Sequence, residues 1–192
     1  QPLELDILAH SMGGLVARSA YRMGEAVSAK WTSAISKLIF LGTPHHGAPL
    51  ERYGNYVDHI LELTPYSAPF GRLGRIRSAG ITDLRYGNVL REDWEGQDRF
   101  QMTDDPRQPV PLPEDVDCYA IAATTGETID ESGWGRSSDG LVPVVSALGH
   151  HEKPAFELGF PEKNQWVGTN MTHLDLLSRS DVYDVIKRWL DD

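Results

Sequence analysis

The sequence predicts an α/β fold with a mostly parallel sheet. Short, nearly continuous apolar stretches, typical of strands buried on both faces, lie at residues 3–9, 37–41 and 116–123. Apolar residues at helical spacing follow the first stretch and close the chain. Strands that alternate with helices in this way are typical of a parallel sheet covered by helices.

Length and composition narrow the classes of protein to consider. The 192 residues suffice for one domain with a substantial core. The net charge of −10 argues against a nucleic-acid partner, because a phosphate backbone needs a basic surface. The single cysteine, Cys118, excludes an internal disulfide and is expected to be buried on a strand. No apolar stretch approaches the roughly 18 to 20 residues that cross a bilayer.

The first strand, at 3–9, leads directly into a helix predicted over 12–23. Gly13 and Gly14 lower helix propensity there, and we expect them to let the start of the helix approach the sheet closely. The residues expected on the buried face of this helix are Leu15, Val16, Ser19, Ala20 and Met23.

The second strand ends in the turn-rich loop 42–47, at the carboxyl edge where open α/β sheets bind ligands. The next segment is rich in proline and charge, and its spacing predicts helices over 50–63 and about 70–79. We interpret it as a cap or lid. The predicted organisation is a core of residues 1–47 and 116–192 with a cap insertion of residues 48–115.

The core resumes after the insertion. A loop rich in Gly, Ser and Asp follows the third strand at 124–140, and a last short strand is expected within 156–167. The chain closes in a helix with Ser180 as a plausible N-cap. The residues predicted to form its buried stripe are Val182, Val185, Ile186 and Trp189.

Residues 5–15 predict a nucleophile elbow. A short apolar run ends at Ser11, small residues flank this serine, and a helix follows at once. Ala9 replaces the first glycine of the usual Gly-x-Ser-x-Gly pattern and is still small enough for the tight turn. The ordinary alternative is a surface serine on a strand-to-helix turn.

A serine hydroxyl needs a base to take its proton, and that base needs a carboxylate to orient it. After an elbow, the order along the chain is serine, acid, histidine. Asp139, in the loop after the third strand, and His173, before the final helix, fit that order after Ser11. The alternatives left open are Asp130 for the acid and His150 or His151 for the base.

Four motifs, at 9–14, 41–47, 138–143 and 171–175, together resemble the lipase and esterase branch of the α/β-hydrolases. The resemblance is to bacterial lipase-like proteins related to GPI inositol-deacylases. It implies an α/β-hydrolase fold and carboxylic-ester substrates. The site residues that it implies are a Ser11–His173–Asp139 triad and the Met12 backbone N–H as an oxyanion-hole donor.

The sequence departs from that family at its beginning. Several strands normally precede the nucleophile, whereas here Ser11 follows the first strand and lies close to Gln1. We therefore expect that the N-terminal strands are missing and that these residues are the carboxyl-terminal part of a longer protein. The second oxyanion donor, on the loop after the third strand of the full fold, would lie upstream.

Three further histidines are predicted to bind substrate. His45 and His46 lie in the loop after the second strand, where one is expected to line the acyl or alcohol pocket, and His10 precedes the nucleophile. The alternative for His45 and His46 is a turn histidine hydrogen-bonded to the main chain. No metal site is predicted, because the His-His pairs lack the i, i+4 spacing of helical zinc ligands.

The sequence therefore predicts a serine hydrolase that cleaves lipid-like carboxylic esters through an acyl-enzyme, without a cofactor. Its partner would be a small-molecule or lipid ester. The apolar stripe at 53–61 is open to two interpretations, an interfacial lid in transient contact with a membrane surface or ordinary packing within the cap. The alternatives are an acyltransferase or thioesterase with the same triad, or a non-catalytic scaffold of the same fold.

Overall fold

A computed structural model of the chain describes residues 4–48, 86–93, 95, 107–128 and 137–191. The strands are β1 (Leu5–His10), β2 (Ile35–Leu41), β3 (Asp117–Ala123) and β4 (Gln165–Gly168). The α-helices are α1 (Met12–Ala26), α2 (Val144–Ala147) and α3 (Ser180–Asp191). Short 3₁₀ helices lie at Thr32–Ala34, Arg91–Asp93, Pro154–Phe156, Glu162–Asn164 and Asp175–Leu177. The helices predicted at 50–63 and 70–79 lie outside the described residues.

The four strands pair in the order β1-β2-β3-β4, and every pair is parallel. In the register, Ala9 lies opposite Phe40 and Phe40 lies opposite Ala120. All four strands therefore end at the same edge, so the loops that follow them lie side by side. The predicted parallel sheet is confirmed.

Apolar side chains cover both faces of β2 and β3. The predicted burial of β1 on both faces is wrong, since Leu8 is 54% exposed and Ala9 alone is buried in this edge strand. On one face of the sheet, Phe40, Ala120 and Val144 of α2 belong to one buried cluster, against which Ala17 and Tyr21 of α1 pack. The second cluster joins the other face to α3, and the predicted stripe of that helix is confirmed. Its members are Ile39, Leu41, Tyr119, Ile121, Ala123, Met171, Leu176, Val182, Val185, Ile186 and Trp189.

Helix α1 buries a different face from the predicted one. Its buried residues are Gly14, Leu15, Arg18 and Gly24. Val16 and Met23 are 61% and 67% exposed, and Ala20 is exposed as well, so the predicted burial of these three residues is wrong. The physical reason is that Gly14 approaches the side chain of Thr43, and Arg18 finds buried hydrogen-bond partners on the same face.

The strand β4 lies at the carboxyl end of the predicted range 156–167 and extends one residue beyond it, to Gly168. Ser180 is the first residue of α3 rather than the residue that caps it. Cys118 is a buried free thiol on β3, as predicted. Among the helices in the described ranges, none is long and apolar enough to cross a membrane.

Candidate active site

Ser11 occupies the sharp turn between β1 and α1. Its φ of 56° and ψ of −131° lie in a region that residues other than glycine rarely adopt, and such a conformation persists only where its surroundings hold it. Its N–H donates to the Leu41 carbonyl at 2.8 Å, which ties the turn to the end of β2. The Ser11 hydroxyl makes no capping bond to α1. The turn thus has the strained geometry expected of an elbow.

His173 and Asp139 are brought together from two different loops. The Nδ1 atom of His173 lies 2.6 Å from Oδ2 of Asp139, and the two residues are only 3% and 2% exposed. The other oxygen, Oδ1, accepts the N–H groups of Leu141 at 2.9 Å and Val142 at 2.7 Å. These bonds aim the second oxygen at the imidazole, so Nδ1 carries the proton and Nε2 presents a lone pair.

The Nε2 atom of His173 is buried and has no hydrogen-bond partner in the described part of the chain. In this conformation it is therefore not bonded to the Ser11 hydroxyl. Catalytic hydrogen bonds are often long in a free enzyme and tighten when substrate binds. An unpaired, buried basic nitrogen has a desolvation cost, which binding of a proton donor would relieve.

Gly42, directly after β2, leaves room for the His173 ring. A side chain at Gly42 would place its Cβ 3.1 Å from both Cε1 and Nδ1 of that ring and 2.8 Å from Cδ1 of Leu176. The φ of Gly42 is also +54°, a value that favours glycine. The main-chain N–H of His173 donates to the Asp139 carbonyl at 2.9 Å. The imidazole thus lies between Gly42, directly after β2, and Asp139 in the loop that follows β3.

His10 contacts His173 through a hydrogen bond and through its ring. Its Nε2 atom lies 3.1 Å from the His173 carbonyl oxygen, and the two ring centroids are 4.6 Å apart. Burial, with the neighbouring His173 as a second cause, lowers the pKa of His10 to about 4. His10 is therefore neutral near pH 7. The described contacts bring together His10, His173 and Asp139, with Ser11 next to His10 in the chain.

Met12 is the first residue of α1, so its N–H has no carbonyl one turn earlier in the helix to bond. The N-terminus of a helix also carries a partial positive charge. A backbone N–H at this position can stabilise negative charge that develops beside Ser11.

Within the described part of the chain, His45 and His46 make no contact with His10, Asp139 or His173. His45 is 1% exposed, and its ring packs against Phe40 while Nδ1 accepts from the Arg18 guanidinium at 3.3 Å. Burial lowers its pKa well below the ordinary value. His46 donates from Nε2 to the Gly149 carbonyl at 2.9 Å, and burial lowers its pKa to about 4. Their substrate-binding role stays a prediction, and His46 has the main-chain bond that the alternative requires.

The other candidates for the base, His150 and His151, contact different partners. His150 contacts the Glu157 carboxylate at 3.0 Å, and Nδ1 of His151 accepts the Lys153 N–H at 3.0 Å. Neither contact involves Asp139. Asp130, the alternative acid, lies outside the described residues. In the described ranges there is no cluster of three or more His, Cys, Asp or Glu residues that could hold a metal ion.

The sequence did not lead us to expect three buried charged residues, Arg18 on α1 and Asp93 and Arg107 in the segment between β2 and β3. Arg18 is 6% exposed and donates to the Val110 carbonyl at 2.6 Å, while Arg107 donates to the His45 carbonyl at 3.1 Å. Asp93 accepts the N–H groups of three residues, one of them Gln108. Arg18 lies four residues after Gly14, on the same helix face, so helical spacing from Gly14 could have revealed it.

The chain is similar in structure to bacterial proteins of known structure. It matches the lipase BlEst2 of Bacillus licheniformis in its mature form at a TM-score of 0.50 and 15% identity, over 98% of this chain and 66% of that chain. It matches EstA of Clostridium botulinum at a TM-score of 0.52 and 13% identity, over 97% of this chain and 64% of that chain. The chain thus spans less than two thirds of the length of either protein.

These similarities, with the parallel sheet and the strained serine turn, define an α/β-hydrolase fold and confirm the predicted fold class. Residues 1–108 match the PGAP1-like alpha/beta domain family, and the chain belongs to this family. The resemblance described from the sequence motifs is confirmed. No curated protein matches the chain.

Proposed function

We propose that this chain carries the catalytic triad of a serine hydrolase that cleaves carboxylic esters, with Ser11 as nucleophile, His173 as base and Asp139 as the orienting acid. One observation carries the proposal. The buried 2.6 Å contact between Nδ1 of His173 and Oδ2 of Asp139 leaves Nε2 unpartnered among the described residues, at the edge of the sheet where the Ser11 turn lies.

The proposed reaction follows from the state of each group. The Ser11 hydroxyl attacks the ester carbonyl and transfers its proton to Nε2 of His173, which becomes an imidazolium beside the Asp139 carboxylate. The Met12 N–H stabilises the oxyanion of the tetrahedral intermediate. Loss of one such donor typically costs about 10²–10³ in kcat. His173 returns the proton to the leaving alcohol, and water then releases the acyl group from Ser11 by the same steps in reverse.

Two neighbouring histidines could serve as the base, and hydrogen bonding favours one of them. His10 uses Nε2 to donate to a carbonyl and has no carboxylate partner in the recorded contacts. His173 has a carboxylate on Nδ1 and an unpartnered Nε2 in the described part of the chain. A base in a serine hydrolase needs the second arrangement, because its charged form must be stabilised in the transition state.

The choice of carboxylic esters as substrates draws on the family and on one neighbour. The Bacillus licheniformis protein is a lipase, and this chain shares its fold and has Ser11 on a strained turn. A lipid-like ester and transient contact with a membrane surface remain parts of the proposal. An acyltransferase or thioesterase would use the same three side chains and differ in the acceptor or the leaving group.

We also propose that residues 48–115 act as a cap over the site. They enter after β2 and leave before β3, which are neighbours in the sheet. The described part of the insertion is tied to that edge, since Arg107 donates to the His45 carbonyl and the Val110 carbonyl accepts from Arg18. These contacts support an insertion anchored at the carboxyl ends of the strands.

Replacement of Ser11 by alanine in the complete gene product tests the proposed function. We expect Ser11→Ala to abolish labelling by a fluorophosphonate probe and hydrolysis of p-nitrophenyl esters, because no other group would attack the carbonyl. Ser19→Ala, on the same helix, is the matched control and should keep both. Turnover retained by Ser11→Ala would refute the assignment, and absence of labelling in the unmodified protein would favour a non-catalytic scaffold.

The acceptor is tested on the same protein. Incubation of an ester with and without an added alcohol, followed by product analysis, separates a hydrolase, which releases the free acid, from an acyltransferase, which forms a new ester. A thioester substrate tests the thioesterase alternative. We expect free acid as the main product and esters to be preferred to thioesters.

A further inference from the structure

His10 links the strand that ends at the nucleophile to the loop that carries the base. Its Nε2 atom lies 3.1 Å from the His173 carbonyl oxygen, across 163 positions of sequence. The two rings are tilted by 42° with their centroids 4.6 Å apart. Because a carbonyl oxygen only accepts, Nε2 of His10 must carry the proton.

Three hydrogen bonds hold His173 in place. Its main-chain N–H donates to the Asp139 carbonyl at 2.9 Å, its Nδ1 is bonded to the Asp139 carboxylate, and its carbonyl accepts from His10. Asp139 provides the first two bonds and lies on a loop remote in sequence from Ser11. Of these three bonds, the one from His10 is made by the residue that directly precedes Ser11.

We propose that His10 is a positioning residue, which sets the distance between the His173 imidazole and the Ser11 hydroxyl through its hydrogen bond to the His173 carbonyl. The inference rests on the proposed function. His10 and Ser11 are consecutive, so a bond from His10 to the base couples the two reacting groups over a short, rigid path. Misplacement of reacting groups by about 1 Å can cost about 10²-fold in rate.

The protonation state of His10 suits this role. His173 and Asp139 are the titratable groups whose charges act on it, and burial is the largest cause of its lowered pKa of about 4. A neutral His10 does not repel the imidazolium that forms on His173 during the reaction. The earlier prediction that His10 binds substrate makes a different claim, since a substrate contact affects KM while a positioning contact affects kcat.

The test compares two substitutions at His10 in the complete gene product. His10→Phe keeps a ring against His173 and removes the donor, whereas the amide nitrogen of His10→Gln can reach the His173 carbonyl. With a p-nitrophenyl ester, we expect His10→Phe to lower kcat by about 10- to 100-fold with KM changed less than about threefold. His10→Gln should recover most of that loss. A kcat for His10→Phe within about twofold of the unmodified protein, or a change in KM alone, would overturn the proposal.

A second measurement does not depend on turnover. The proton on Nδ1 of His173, bonded to Asp139, should give a low-field signal in the proton NMR spectrum, assigned by its loss in His173→Gln. We expect His10→Gln to retain the signal and His10→Phe to broaden it by faster exchange with water. An unchanged signal in His10→Phe would overturn the proposal even if the protein showed no esterase activity. Missing fluorophosphonate labelling with the NMR effect present would instead reject only the proposed function.

Urea denaturation checks that each variant is folded. If His10→Phe does not fold, His10→Asn replaces it, because the shorter amide cannot span the distance to the His173 carbonyl. The same loss in kcat and the same broadening are then expected from His10→Asn, and native behaviour of that variant would overturn the proposal.

Discussion

At the scale of single residues, both carboxylate oxygens of Asp139 have fixed partners. Oδ1 accepts two main-chain N–H groups, from Leu141 and Val142, and Oδ2 faces Nδ1 of His173. The local bonds come from the turn that follows Asp139 and do not depend on His173. The carboxylate is therefore oriented in advance, so the proposed reaction would not have to supply the cost of ordering it.

We expect Asp139→Asn to lower kcat by about 10⁴-fold, the loss typical of this change in a Ser-His-Asp triad. The amide nitrogen would face Nδ1 of His173 and favour the tautomer whose Nε2 already carries a proton. The fold should survive, because the amide oxygen can still accept from Leu141 and Val142. Ester hydrolysis measures the effect, and the midpoint of urea denaturation measures stability.

Asp130→Asn is the matched control for this substitution, since Asp130 is the other acid that the sequence allows. We expect it to change kcat by less than about tenfold, because only the acid bonded to the base controls the tautomer. A larger loss from Asp130→Asn than from Asp139→Asn would reverse the assignment of the acid.

At the scale of elements, the start of α1 approaches the loop after β2 too closely for a side chain. A Cβ at Gly14 would collide with Oγ1, Cγ2 and Cβ of Thr43, which is itself fully buried. A Cβ at Gly13 would have no heavy atom within 4 Å. The close approach expected from the sequence is therefore confirmed for Gly14 and wrong for Gly13.

We expect Gly14→Ala to lower the free energy of unfolding by about 1–3 kcal/mol, because α1 must move away from Thr43 to accommodate the methyl group. Gly13→Ala should be neutral or should raise the free energy of unfolding by up to about 1 kcal/mol, since alanine favours a helix over glycine. Urea denaturation of both variants measures the difference. Equal effects of the two substitutions would show that close approach is not the reason for Gly14.

At the scale of the whole molecule, burial, complete or partial, lowers the pKa of three histidines in the described part of the chain, His10, His45 and His46, and keeps them neutral near pH 7. The pKa values of His10 and His46 are lowered to about 4, and that of His45 is lowered well below its ordinary value, with burial as the largest cause in each case. In the unfolded chain a histidine titrates near 6.5. Between these values the unfolded chain binds more protons than the folded one, so acid favours unfolding.

We therefore expect the stability contributed by these histidines to be fully present above about pH 6.5 and to be lost as the pH falls toward 4. Each group contributes a slope of up to about 1.4 kcal/mol per pH unit in that window. Urea denaturation at pH 7 and pH 5 measures the difference. His46→Gln, which can keep the bond to Gly149, should reduce it, and equal stability at the two pH values would contradict the burial of neutral histidines.

Local spacing was enough to predict much of this protein. The strands β1, β2 and β3 follow from short, nearly continuous apolar runs, and the stripe of α3 follows from helical periodicity, because neither pattern requires knowledge of the packing partner. The order of Ser11, Asp139 and His173 follows in the same way from residues placed after strands whose ends share one edge. The contact between His173 and Asp139 agrees with that order.

The tertiary structure decided the features that depend on partners far along the chain. The rotation of α1 that buries Arg18 rather than Val16 is set by Thr43 and Val110, which the helix pattern does not contain. The bond from His10 to the His173 carbonyl likewise joins residues that become neighbours only when the parallel sheet forms. Sequence periodicity specifies which face of an element is apolar, but packing specifies which polar groups meet, because a hydrogen bond requires both partners within about 3 Å.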